Sequence, residues 1–189
     1  MRQGVRAAGE RRASHEISME PEPRCVRIAP ELSAVPIPAS VLHEVCRHAR
    51  DAFPEECCGL IVGDHRERFR EAWPCHNEMT QRHGRDPVSY PRDNRRAYFM
   101  RPTDYQRIQA ESEARGLQVT AVYHSHVDTA ATLSELDLES ALHPLFPFPD
   151  AAQLVVALHD RHAVPEIGLF ERRGAERAFA GRAVSSAQP

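Results

Sequence analysis

The chain has 189 residues, 41% of them hydrophobic, which is enough for one domain of ordinary size with polar tails. Its net charge of −3 gives no basis for nucleic acid as a main partner, and all 24 basic residues are arginine, so no lysine amine is available for isopeptide modification. Five cysteines without a regular spacing argue against a disulfide framework and for a reducing, cytoplasmic setting, and no apolar run nears the roughly 18 residues a membrane span needs.

Residues 1–24 are polar and aperiodic, which predicts a disordered tail. The opening MRQGVRAAGERR is charged with no apolar run behind it, so it does not read as a secretory signal, and Met19 offers an alternative start. The sequence predicts one domain over 25–180 and a second disordered tail over 181–189. Within the domain, 25–38 reads as a short strand and a proline-marked lead-in. From Ala39 a helix is predicted, because Val41, Leu42, Val45, Cys46 and Ala49 form an apolar stripe at helical spacing; Pro54 ends it. CCGLIVG (57–63) reads as a buried strand and RFREAWPC (68–75) as its hairpin partner. Residues 76–95 read as a long loop, and Tyr98–Met100 as a short strand. A helix over Pro102–Arg115 stops at Gly116, and a strand follows over 117–126. A further helix is expected from about Ser134 to Leu142, a proline-broken loop over 143–150, strands at 152–159 and 165–173, and a short last strand in ERAFAGRAV. Helices and strands alternate without internal repeats, which makes the fold class α/β or α+β with a mixed sheet.

The stretch HSHVDTAATLSELD (124–137) carries the chemistry. On a strand, positions i and i+2 share a face, so His124 and His126 project together from the strand end. On a helix, positions i and i+3 share a face, so Ser134 and Asp137 look the same way from the next helix. Two imidazoles and a carboxylate leave one tetrahedral position open, the pattern of a catalytic zinc. A plainer explanation also fits part of it, since Ser-x-x-acid before an apolar pattern is close to a helix capping box.

The spacing of His124, His126, Ser134 and Asp137 resembles the signature of the JAMM (MPN+, JAB) zinc metalloprotease family. So does Pro54-Glu55-Glu56-Cys57-Cys58-Gly59-Leu60 upstream, which is similar to the Pro-x-Glu-x-Cys-Gly-Leu of bacterial members and aligns the family's catalytic glutamate with Glu56. The resemblance covers about residues 38–172. It implies a mixed, curved sheet flanked by helices, the MPN/JAB, cytidine-deaminase-like fold. It implies one Zn2+ held by His124, His126 and Asp137 to activate water, Glu56 as general base and acid, and Ser134 as donor to the oxyanion. The substrate it implies is a peptide or isopeptide bond after the C-terminal Gly-Gly of a ubiquitin-like sulfur-carrier protein; a deubiquitinase-like isopeptidase and a non-catalytic scaffold of the same fold are the alternatives. A homodimer is compatible with the sequence. Val127 stands where many relatives have proline, which leaves the donor set intact.

The remaining candidates have plainer assignments. Cys57 and Cys58 read as buried structural thiols, Cys75-His76 as a strand end, and His43 and His48 as a solvated helix face. His143, His159 and His162 read as solvated loop residues, and Ser125 as packed away from the histidines. Asp128 is either a turn residue or a carboxylate holding a histidine's other nitrogen, and Tyr90 is a weak candidate for a groove wall.

Overall fold

The computed structural model describes residues 24–174 and 178–187, so the expected N-terminal tail lies outside the described residues except for Arg24. The chain runs from β1 (Val35–Pro38) directly into α1 (Ala39–Ala52), whose Val41, Val45, Cys46 and Ala49 are buried as the apolar stripe requires. β2 (Cys58–Gly63) turns tightly into β3 (Glu71–Cys75). In that turn the Asp64 carboxylate accepts from the Arg66 and Glu67 amides at 2.7 and 2.9 Å. A Cβ on Gly63 would stand 2.1 Å from the Arg68 carbonyl oxygen, so only glycine closes the hairpin. β3 is a sheet edge, the place where Pro74, lacking an N–H, is tolerated.

After α3 (Pro102–Glu113), Gly116 takes a φ of +72° and stops the helix as expected. β4 (Gln118–Val127), α4 (Glu135–Ala141), β5 (Ala152–Leu158), β6 (Glu166–Arg173) and β7 (Ala178–Ala187) complete the chain. The strands form one mixed seven-stranded sheet in the order β1-β7-β6-β5-β4-β2-β3. β4 pairs with β5 and β1 with β7 in parallel, and the other pairs are antiparallel.

Both faces of the curved sheet are covered. α1 packs on one face over Ile61, Ala121, Tyr123, Leu154 and Val156. The α3 side meets Leu60, Val62 and Val122, and Leu138 of α4 packs beside Val155 and Ala157. This is why β2 and β5 are buried along their whole length, and why β5 is apolar but for Gln153. Among the described residues no helix is long and apolar enough to cross a membrane.

Four sequence expectations change. Residues 181–187 are not a tail but most of β7, which pairs with β1 on one side and β6 on the other. Its small and polar residues give no apolar alternation, so backbone pairing rather than burial holds it; residues 188–189 lie outside the described residues. Residues 76–95 contain a helix, α2 (Met79–Arg85), which buries Met79 alone. Tyr98–Met100 is not a strand, since Met100 makes only an isolated bridge to Asn77. His48 is not solvated: it is half-buried, and its Nδ1 lies 2.9 Å from the Tyr123 hydroxyl.

Candidate metal centre

Alternation along β4 sends Ala121, Tyr123 and Ser125 toward α1, and Val122, His124 and His126 toward the opposite face. The two imidazoles therefore emerge side by side at the C-terminal end of β4, with their Nε2 atoms 3.2 Å apart. The chain then reverses through Asp128, which adopts a φ of 58° that aspartate tolerates in a turn. It returns at α4, where Asp137 brings its Oδ1 to 3.4 Å from His124 Nε2 and its Oδ2 to 3.4 Å from His126 Nε2. One donor atom from each of His124, His126 and Asp137 lies within 4.8 Å of the others, and all three residues are buried.

Asp137 has a second set of partners. Its Oδ2 accepts from the Ser134 hydroxyl at 2.6 Å and from the Ser134 amide at 2.8 Å, while the Asp137 amide donates to Ser134 Oγ at 3.3 Å. The capping box is complete, so the plainer sequence explanation holds as well. The same hydrogen bonds that start α4 fix the carboxylate toward the histidines.

Glu56 precedes β2, which is registered against β4 with Cys58 opposite His124. The Ser125 amide donates to the Cys57 carbonyl at 3.0 Å, and the Cys57 amide donates to Ser125 Oγ at 2.8 Å, which locks the two strand ends together. The Glu56 amide donates to the Asn94 carbonyl at 2.7 Å, and the Asn77 side chain donates to the Glu56 carbonyl at 2.9 Å. Glu56, Ser134, His126 and Asp137 line one cleft of about 940 Å³, whose walls are mainly residues 91–93, 95–98 and 127–129.

The electrostatics differ from one donor to the next. Burial pushes the Glu56 carboxyl up to about 8, with Asp137 adding to the rise and His126 and Arg92 opposing it. Burial would also raise Asp137, but the adjacent His124 and His126 override it and hold this carboxyl well below the usual carboxylate range. Burial lowers His124; at His126 the Asp137 carboxylate outweighs burial and raises the imidazole. The His126 Nδ1 lies 3.2 Å from the Ala130 carbonyl, which orients its Nε2 toward the cleft. The His124 Nδ1 is buried with no partner, so Asp128 holds neither histidine and is a turn residue.

Two residues that matter here carried no sequence signal of their own. Tyr98 stacks on the His124 ring. Asn77 ties together the Glu56 and Ala97 carbonyls and the Met79 and Phe99 amides, so it buckles the segment around the cleft. Tyr90 does not line the cleft; it packs edge-on against Phe99. Cys57, Cys58 and Cys75 are buried free thiols, and burial raises all three, as expected of structural cysteines.

The family model of prokaryotic homologs of the JAB domain matches residues 38–167. Protein DSY2949 of Desulfitobacterium hafniense shares the fold at a TM-score of 0.56 and 18% identity, over 81% of this chain and 92% of that one. AF2198, a JAB1/MPN domain protein of Archaeoglobus fulgidus, aligns at a TM-score of 0.43 and 13% identity, over 82% and 100% of the two chains. No curated protein matches.

Proposed function

Because the chain belongs to the prokaryotic homologs of the JAB domain, we propose that it is a zinc metallopeptidase acting after the C-terminal Gly-Gly of a ubiquitin-like sulfur-carrier protein. The observation that carries this is the convergence of His124, His126 and Asp137 at the floor of a cleft that His126 and Asp137 line together with the buried Glu56.

The donor set fits zinc. A tetrahedral ion with bonds of ~2.0–2.1 Å sets its ligand atoms about 3.3–3.4 Å apart. The Nε2–Nε2 separation is 3.2 Å, and Asp137 sets Oδ1 at 3.4 Å from His124 Nε2 and Oδ2 at 3.4 Å from His126 Nε2, so the carboxylate can offer either oxygen to an ion held between the imidazoles. Two nitrogens and an anionic oxygen suit this metal, and three protein donors leave room for a reactant.

When bound, zinc would supply Lewis acidity toward the substrate carbonyl and toward water. His124 and His126 present their Nε2 lone pairs, and Asp137 stays ionised to offset the charge. Glu56 takes the proton of the attacking water and passes it to the leaving nitrogen. Burial raises this carboxyl above the usual carboxylate range, the direction that suits a group exchanging protons near neutral pH. Ser134 sits at the cleft with its Oγ held by the Asp137 amide; turning its hydroxyl hydrogen from Asp137 into the cleft lets it donate to the carbonyl oxygen as negative charge builds there. The di-glycine preference rests on the resemblance of the paired motifs.

The test uses a purified carrier protein extended beyond its Gly-Gly, followed by intact mass. Zinc-loaded protein should remove the extension, and Glu56→Gln should retain zinc yet leave the carrier whole. A fully loaded protein that cleaves no Gly-Gly-extended carrier would overturn the assignment.

A further inference from the structure

The wall of the cleft opposite α4 is built by the segment that follows α2. It places Arg92, Arg95 and Arg96 along the cleft, with His83 behind them. All three arginines are exposed. Elsewhere in the fold some arginines are matched, as Arg47 with Glu44, Arg68 with Glu171, Arg107 with Glu111 and Arg115 with Glu71, and others are not; what sets these three apart is that they share one cleft wall. Among the described residues the three cleft arginines form no ion pair. The nearest acid in sequence, Asp93, uses its Oδ1 to accept from the Arg95 amide at 3.1 Å.

The segment is also fixed rather than draped. Between the arginines, the Asn94 carbonyl accepts from the Glu56 amide and the Asn94 amide donates to Thr80 Oγ1 at 3.2 Å. The row of cations is therefore tied by one residue to Glu56. In a chain of net charge −3, three exposed cations along one wall beside the reacting groups can steer an oppositely charged chain into the cleft.

We propose that the polypeptide crossing this cleft carries acidic side chains next to the bond to be cleaved, and that Arg92, Arg95 and Arg96 select it. This rests on the peptidase assignment above and adds a specificity to it. The partner is a polypeptide rather than a nucleic acid because Asp93, Asp128 and Asp137 line the same cleft. A continuous phosphate backbone would meet those carboxylates, whereas a peptide can place charge opposite the arginines alone. Arginine's planar fork suits carboxylates, and exposed pairs act weakly one by one, so selection comes from the row.

Two labelled peptides test it, identical except for glutamates or glutamines flanking a central Gly-Gly. Binding to the zinc-loaded Glu56→Gln protein is followed by fluorescence anisotropy. At ~50 mM salt the glutamate peptide should bind roughly tenfold more tightly, and ~500 mM salt should erase the difference. The variant carrying Arg92→Gln, Arg95→Gln and Arg96→Gln should lose the preference with its zinc content and melting temperature unchanged, and Arg95→Glu alone should weaken the glutamate peptide most. Equal binding of both peptides, no binding of the glutamate peptide, or a preference that survives the triple variant overturns the proposal. So does an oligonucleotide that displaces the peptide through the same arginines. Equal cleavage of both peptides by the unmutated protein would leave the peptidase standing and remove this specificity. A clear charge preference with no cleavage would do the reverse.

Discussion

The ring of Tyr98 lies 4.6 Å from that of His124, centroid to centroid, at an interplanar angle of 24°. His124 has no side-chain hydrogen bond at Nδ1, so this stacking, rather than a second hydrogen bond, orients the ring. Aromatic pairs contribute about 0.5–1.5 kcal/mol beyond their buried area. Tyr98→Ala should therefore weaken zinc binding by roughly 2- to 10-fold, while Tyr98→Phe should bind as the unmutated protein does. Competition titration with a zinc chelator distinguishes them; equal affinity in the alanine variant would remove Tyr98 from the centre.

Asp137 serves both the capping box and the histidine pair, and two substitutions separate the roles. Asp137→Asn keeps an oxygen for the Ser134 amide but loses the anion. It should lose more zinc affinity than the roughly 10–100-fold typical of an outer-sphere partner, with little change in the melting temperature of the metal-free protein. Asp137→Ala should lose the zinc and also about 1 kcal/mol of stability as the cap opens. Zinc content and calorimetry of the metal-free forms make the comparison.

Ser125 Oγ is the acceptor for the buried Cys57 amide. Ser125→Ala leaves that N–H without a partner, at a cost of about 1–3 kcal/mol. Urea unfolding should show a lower midpoint at unchanged slope. Turnover should fall too, because the strand ends that set Glu56 beside β4 are no longer tied.

His48 offers a pH test away from the metal donors. Burial, helped by Arg47, lowers this imidazole, while Glu44 and Asp51 pull the other way. The folded state thus resists a proton that the unfolded chain accepts near pH ~6.5. As pH falls below that value the unfolded state binds more protons, so stability declines until the folded imidazole also titrates. His48→Asn should be less stable at pH 7, losing the contact to Tyr123, yet its stability should vary less between pH 7 and 5. Parallel slopes for the two proteins would assign the acid sensitivity elsewhere.

What could be read from the sequence follows physical rules. α1 was legible because its stripe repeats at helical spacing, and β2 and β5 because covering both sheet faces demands nearly continuous apolar runs. His124, His126 and Asp137 were legible as a pattern, since strand and helix periodicity aim each donor, whereas Glu56 was picked out by the resemblance of residues 54–60 to the family's upstream motif. Tyr98 and Asn77 were not, because they act from irregular chain where no periodicity reports direction. The contact of His48 with Tyr123 spans 75 positions, beyond any local pattern. A short strand was expected in ERAFAGRAV, but the full length of β7 was not legible, because the strand is held by neighbours on both sides and AFAGRAVSSA carries little apolar bulk. α2 buries one residue, so no stripe announced it.

The donors at 124, 126 and 137 belong to one short continuous stretch, whereas Glu56 joins them from another strand through β2–β4 pairing. Contacts between chain neighbours form before those that close long loops. Closing the loop from 124 to 137 costs less chain entropy than bringing residue 56 to β4, and the ion-gathering half is the more local of the two. A substitution that loosens the β2–β4 pairing would thus displace residue 56 while leaving the three donors together.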